Sequence, residues 1–483
     1  MDELEAAVAP LLWGGVAAGV ALAAFAAAVL VRGTQRIAVP RERAATRDRV
    51  VVALLTLLGA AARLPAMTRP LGTDEAATFL YYASKPLAIV LTIYGANNHV
   101  LHTILMHGAW RLFGDAEWAL RLPAFLAGTA LIPLAWWTAR RLSCNGALIA
   151  AGLVAGAPAL VDFSNDARGY TLLCACTLVA AAALPDVVRH GARGAAIVFA
   201  VAAALGFYAV PVMLYPFVFL GVAAVVRSQR RLPLVAALGA ALLLTAALYA
   251  PVIAVSGIKA IVANPYVRPI PLPQFFAALP RVIASGWSRS MAGMPLAVKL
   301  LIVAGVVAGR KLTLATGAGA LAVAAIVVAQ RVLPFPRVWL PFLPLLLIAA
   351  ACGWRWPRFE ALVAVAAALA LGLAAAATVR PRETGELPNV LTIARALRMR
   401  VRPGDQIVAG VASDVPLAFY LRGVPADVLH PDLAHARRIF VVTNRTTDMT
   451  LPRTLELVHI DARAFTIRRI DDYGASALYV LTR

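Results

Sequence analysis

Residues 146–185 read GALIAAGLVAGAPALVDFSNDARGYTLLCACTLVAAAALP. Two apolar runs, 146–162 and 169–185, frame a short polar island, Ser164-Asn165-Asp166-Ala167-Arg168-Gly169-Tyr170. A helix needs about 20 apolar residues to cross a bilayer core about 30 Å thick, so each run is read as a membrane span. An ionisable group held at that depth is costly and tends to mark a substrate path. The island between the spans is therefore the first place to look for chemistry.

Outward from this stretch the same pattern recurs. Spans are expected near 10–31, 50–66, 119–139, 146–162, 169–185, 195–209, 211–226, 232–254, 294–309, 312–329, 338–353 and 359–379. The composition agrees. With 61% hydrophobic and 14% charged residues and a mean hydropathy of +0.79, the 483-residue chain is no soluble globule. The first span begins on Asp2, Glu3 and Glu5 and is followed by a basic loop, so it reads as a retained helix rather than a cleaved signal peptide.

Short basic loops set the orientation, because Lys and Arg collect on the cytoplasmic side. They are Arg32 to Arg49 (with Arg36, Arg41, Arg43 and Arg47), Arg140-Arg141, Arg189 to Arg193, Arg227 to Arg231, Arg310-Lys311 and Arg355 to Arg358, and all six fall on one face. Both termini, the 67–118 loop, Asp162 to Tyr170, the 255–293 loop and 330–337 then lie outside an inner membrane crossed many times. The net charge of +21 is thus a topological signal and not the footprint of a nucleic-acid partner. Three domains are expected: 1–49 as an added helix and basic loop, 50–379 as the transmembrane catalytic domain, and 380–483 as an exported unit. The last is read as a small α/β or α+β fold, with helices at Leu391 to Met399 and Val415 to Leu421 and strands at Gln406 to Val411, Arg438 to Val442 and Ala477 to Leu481. The four cysteines, Cys144, Cys174, Cys176 and Cys352, imply no disulfide framework and no thiolate metal site. Asn444-Arg445-Thr446 fits a glycosylation sequon but carries no weight.

Four polar clusters fall on the outer face: Arg63-Leu64-Pro65 with Gly72-Thr73-Asp74-Glu75; Asn97-Asn98-His99 with His102, leading into an amphipathic stretch and Arg121-Leu122-Pro123; Ser164 to Tyr170; and Phe335-Pro336-Arg337-Val338. As an ordered set they resemble the polyprenyl-phosphate-sugar-dependent glycosyltransferases of the GT-C superfamily, in particular bacterial relatives of protein mannosyltransferases, aminoarabinose transferases and lipopolysaccharide galacturonosyltransferases. The resemblance covers roughly residues 50–350. It departs from many relatives where this chain reads His99-Val100-Leu101-His102 and Arg337-Val338, and the helix at 10–31 lies before the family core.

The resemblance implies a membrane glycosyltransferase that moves a sugar from a polyprenyl-phosphate donor to an envelope glycan, lipid or protein with inversion. The chemistry of the residues agrees. A phosphate leaving group needs little acid catalysis, whereas the acceptor needs a base. Asp74 is the candidate base, with Glu75 to orient the acceptor or tune Asp74. Arg binds phosphate in bidentate fashion; Arg168 and Arg337 are the leading contacts, with Lys85, Asn98, His99, Asp166 and Tyr170 as further substrate-binding candidates. The 255–293 loop is a candidate cover. No resident metal is assigned, although a divalent cation is compatible. The competing classes are a transporter or flippase and a non-catalytic assembly protein; the first usually shows repeat symmetry, which this sequence lacks, and the second would survive Asp74→Asn.

Overall fold

The structure, a computed structural model, describes residues 2–37, 45–263, 266–309, 313–354, 358–377, 385–433, 436 and 438–483. The basic positions Arg41, Arg43, Arg310, Lys311 and Arg355 and the expected boundary at 379–380 lie outside the described residues.

The helices in chain order are α1 (Asp2–Gly33), α2 (Thr46–Arg63), α3 (Thr73–Thr78), α4 (Leu87–Thr92), α5 (Val100–Phe113), α6 (Glu117–Arg141), α7 (Ala147–Gly156), α8 (Pro158–Ser164), α9 (Tyr170–His190), α10 (Arg193–Ala209), α11 (Leu214–Arg227), α12 (Arg231–Ser256), α13 (Ile258–Val262), α14 (Leu272–Ser290), α15 (Leu296–Ala308), α16 (Leu314–Gln330), α17 (Phe342–Ala351), α18 (Glu360–Ala377), α19 (Val390–Arg398), α20 (Asp414–Tyr420) and α21 (Leu451–Leu457). The strands are β1 (Gln406–Ala409), β2 (Arg438–Asn444), β3 (Thr466–Asp472) and β4 (Ser476–Thr482). All twelve expected spans have a helical counterpart. Among the described residues six helices are long and apolar enough to cross a membrane, α7 and α8 pass the same test only as a pair, bent by 59°, and five apolar helices are shorter. The 255–293 stretch, expected as a loop, contains the 19-residue helix α14.

The chain divides into two compact units, Met1–Met67 with Lys85–Val379, and Thr68–Ser84 with Arg380–Arg483. The expected boundary leaves Asp74 among the membrane helices. In the structure its segment folds with the C-terminal residues instead.

The first unit is an apolar helical bundle around α7, which is buried along its whole length. Lipid gives helices no hydrophobic drive to associate, so small residues that let backbones touch supply the packing. A Cβ at Gly152 would lie 2.2 Å from the Ala364 carbonyl of α18, and one at Gly19 would lie 2.6 Å from the Ala247 carbonyl of α12. The break between α7 and α8 falls at Pro158, which has no N–H to continue the ladder. Arg63 answers it: this fully buried side chain donates from Nη1 to the carbonyls of Ala155 (2.8 Å) and Gly59 (2.7 Å) and from Nε to Ser164 Oγ (2.9 Å). Arg121 likewise donates to the Met67 carbonyl (3.0 Å).

One expectation is corrected here. Cys144 and Cys352, 208 residues apart, form a disulfide that ties the start of α7 to the end of α17. Sequence gave no sign of it because both residues sit at the edges of apolar helices, where cysteine also serves as a small hydrophobe.

The second unit is a four-stranded sheet in the order β1-β2-β4-β3. β1 runs parallel to β2 in the register Ile407 to Phe440, and both β2 and β3 pair antiparallel with β4. β2 alternates its apolar residues between two cores. Phe440 and Val442 pack with Leu397 and Leu417 from α19 and α20, and Ile439 and Val441 pack with Leu455 of α21. Asn444 is 0% exposed and donates to Ser413 Oγ and the Glu386 carbonyl, so the sequon asparagine is committed to the fold.

Candidate active site

Within the transmembrane unit the polar island converges with the turn before α5. α8 ends at Ser164 and α9 begins at Tyr170, and the Ala167-Arg168-Gly169 turn brings its polar groups onto His99. The Gly169 N–H donates to His99 Nδ1 (3.0 Å). Arg168 Nη2 lies 3.1 Å from His99 Nε2 and 3.3 Å from Asn97 Oδ1. Gly169 has to be glycine for its close approach, because a Cβ there would lie 2.8 Å from the Ala209 carbonyl.

These contacts fix the state of the histidine. A backbone N–H can only donate, so Nδ1 is the bare acceptor nitrogen and the ring proton of neutral His99 sits on Nε2. Burial first, then the positive charge of Arg168, His102 and Arg337, holds His99 well below the usual imidazole range, which keeps the ring neutral. The Nε2–H and the Arg168 guanidinium are then two donors side by side. That pairing is unfavourable by itself and becomes favourable when an anionic oxygen accepts from both. Tyr170 walls this corner, its ring 5.2 Å from that of His99 and 5.3 Å from that of Phe163, with the Arg168 guanidinium carbon 5.5 Å from its centre.

The other expected residues of this unit take different places. Asn98 is buried and donates from Nδ2 to the Ile93 carbonyl (2.7 Å), pinning the end of α4. Its neighbour Asn97 meets Arg168; in an Asn-Asn pair the sequence does not say which side chain turns inward. Asp166 gives its carbonyl to the Arg168 N–H. Arg337 is half-buried in the turn Pro336–Trp339, its guanidinium carbon 4.4 Å from the Phe335 ring centre, and its charge reaches His99. Lys85 is half-buried at the start of this unit's second segment.

The acidic pair belongs to the other unit, on the short helix α3. Glu75 is fully buried and accepts from the Gly72 N–H (2.8 Å), closing the turn on which Asp74 sits half-buried at the helix start. Tyr420 Oη accepts from the Leu71 N–H (2.9 Å), and Thr73 Oγ1 donates to the Ala412 carbonyl (2.6 Å). Sequence reasoning names Thr73 in the acidic cluster without a role and passes over Tyr420 and Ala412. Among the described residues no three His, Cys, Asp or Glu side chains are grouped to hold a metal.

Residues 76–254 match the model of the dolichyl-phosphate-mannose-protein mannosyltransferase family, beginning just after the acidic pair and taking in His99 and Arg168. No curated protein matches the chain by sequence. Among solved structures, ArnT from Cupriavidus metallidurans in the apo state superposes with a TM-score of 0.62 at 14% identity, over 89% of this chain and 97% of that one. This chain has the GT-C fold. ArnT bound to undecaprenyl phosphate gives a TM-score of 0.48 at 16% identity over 90% of this chain and 98% of that one. The Archaeoglobus fulgidus oligosaccharyltransferase tethered to an acceptor peptide gives 0.47 at 10% identity over 82% and 69%. The fold assignment rests on the first of these. The sequence match lies almost wholly within the helical unit that shares this fold, and six of the described helices are long and apolar enough to cross a membrane.

Proposed function

We propose that this GT-C protein transfers a sugar from a polyprenyl-phosphate donor to a cell-envelope acceptor on the extracytoplasmic face of the inner membrane. The observation that carries the reading is the paired donors of His99 and Arg168, buried at the end of a membrane helix, where an anionic oxygen satisfies both. A lipid-linked sugar phosphate presents such an oxygen at that depth, and the matched family is named for a donor of this class. In this reading Arg168, His99 and Arg337 hold the phosphate. Asp74 accepts the proton of the acceptor hydroxyl or amine as the latter attacks the anomeric carbon. The bond from that carbon to the phosphate oxygen breaks, polyprenyl phosphate leaves, and the configuration inverts. Glu75 acts through the turn it closes.

The test is transfer from a defined polyprenyl-phosphate sugar by purified protein in lipid, with product lipids and glycans read by mass spectrometry. Asp74→Asn is expected to lose at least about a hundredfold in kcat, the scale of general base catalysis. Transfer at the wild-type rate by Asp74→Asn disproves the base assignment.

A further inference from the structure

We propose that the C-terminal unit is a positioning device for the catalytic turn, with Tyr420, Thr73, Gly385 and Ala412 as the positioning groups; the inference rests on the reading of Asp74 as base. α3 has six residues, far fewer than a helix needs to persist alone. Its start is held by groups from residues more than 300 positions later in the chain. The Leu71 N–H donates to Tyr420 Oη at 2.9 Å, the Thr73 N–H to the Gly385 carbonyl at 3.2 Å, and Thr73 Oγ1 to the Ala412 carbonyl at 2.6 Å. Asp74 is the next residue, so its backbone direction follows from these bonds.

The far end of α3 is held too. The Phe79 ring meets Phe419 edge-on at 5.4 Å, and the Arg422 guanidinium carbon lies 3.7 Å from the Phe419 ring centre and 5.3 Å from that of Phe79. Two backbone features bear the mark of a built site. Ala412 holds a φ of +70°, which a residue with a Cβ keeps only where its surroundings impose it, and it is the Ala412 carbonyl that receives Thr73. Gly385 holds a φ of +88°, and a Cβ there would lie 2.9 Å from the Ala412 Cβ and 3.3 Å from Thr73 Oγ1. The three residues touch, and the contact leaves no slack ahead of Asp74.

A domain that merely adds stability predicts something else, namely that any weakening of the unit lowers activity only as far as it lowers the folded fraction. Leu455→Ala provides that comparison, since Leu455 packs on the opposite face of the sheet from α20. The experiment measures kcat and donor KM on full-length protein in lipid for Thr73→Val, Thr73→Ser, Tyr420→Phe, Leu455→Ala and Asp74→Asn, with hydrogen exchange of 71–79 followed by mass spectrometry. Expected results are a fall in kcat of about ten- to a hundredfold for Thr73→Val at unchanged KM, the scale of a misplaced catalytic group. Thr73→Ser, which keeps the hydroxyl, restores it; Tyr420→Phe falls in the same direction, and both damaging variants lose exchange protection in 71–79. Leu455→Ala keeps the wild-type kcat per folded molecule. If Thr73→Val and Tyr420→Phe turn over like wild type while Asp74→Asn is inactive, the positioning role is wrong and the base assignment stands. Equal losses in Leu455→Ala and Thr73→Val also overturn it. An active Asp74→Asn removes both.

Discussion

His99 shows how one backbone bond decides the chemistry of a side chain. Because Gly169 can only donate, the imidazole presents Nε2–H beside Arg168, and a residue that the sequence offers only as a substrate-binding candidate takes the donor role that the proposed anion site uses. The burial that makes the site also makes it sensitive to acid. In the fold His99 stays neutral well below the usual imidazole range, whereas in the unfolded chain it titrates near pH 6.5. The unfolded form therefore binds more protons below about pH 6.5, and the contribution present above that pH is lost as the pH falls. Thermal unfolding of the solubilised protein is expected at lower temperature at pH 5.5 than at 7.5, with a shallower dependence in His99→Gln. Identical slopes in the two proteins contradict the assignment.

At the scale of elements, the helices were readable because lipid demands apolar runs, and all twelve runs became helical, 146–162 as the pair α7 and α8. The C-terminal unit was readable where strands are central, since β2 is buried from Ile439 to Asn444. It was unreadable at β3, whose sequence TIRRIDD has no apolar run; an edge strand is exposed on one side, and charges there discourage pairing with other chains. α14 hid because Pro273 and Pro280 read as loop, although the first sits in the opening turn where proline is tolerated. The site was half legible. Side chains such as Arg168 and Asp74 announce themselves, but the carbonyls of Gly385 and Ala412 leave no signature in sequence. Packing by small residues gives an element-level prediction. A Cβ at Gly128 of α6 would lie 1.9 Å from Ser164 Oγ, the group that receives Arg63 Nε. Gly128→Val is expected to lose about 1–3 kcal/mol, the usual cost of overpacking, seen as a lower melting temperature in detergent. Gly14→Val on α1, where a Cβ meets open space, is expected to leave it unchanged.

At the scale of the molecule, the alternation of basic loops predicts sidedness. Tyr266, on the segment assigned outside, and Arg230, on a basic loop assigned inside, are both exposed. With the native cysteines replaced, an impermeant maleimide added to intact cells is expected to label Tyr266→Cys and to spare Arg230→Cys until the membrane is opened. The reverse pattern inverts the topology. The Cys144–Cys352 tie lies beside the Arg140-Arg141 loop, on the side assigned inside, where cellular thiols are kept reduced.

The grouping of Thr68–Ser84 with Arg380–Arg483 has a consequence in time. A ribosome at about 5–20 residues per second needs about 17–67 seconds to travel from Ser84 to Tyr420. Through that interval the α3 turn waits, already translated, for partners that do not yet exist. Helices can enter the bilayer one after another as they emerge, but the turn carrying Asp74 is completed only when Gly385, Ala412 and Tyr420 have been made. On the reading of Asp74 as base, an interrupted copy has its helices in place but lacks the contacts that set the turn carrying that residue.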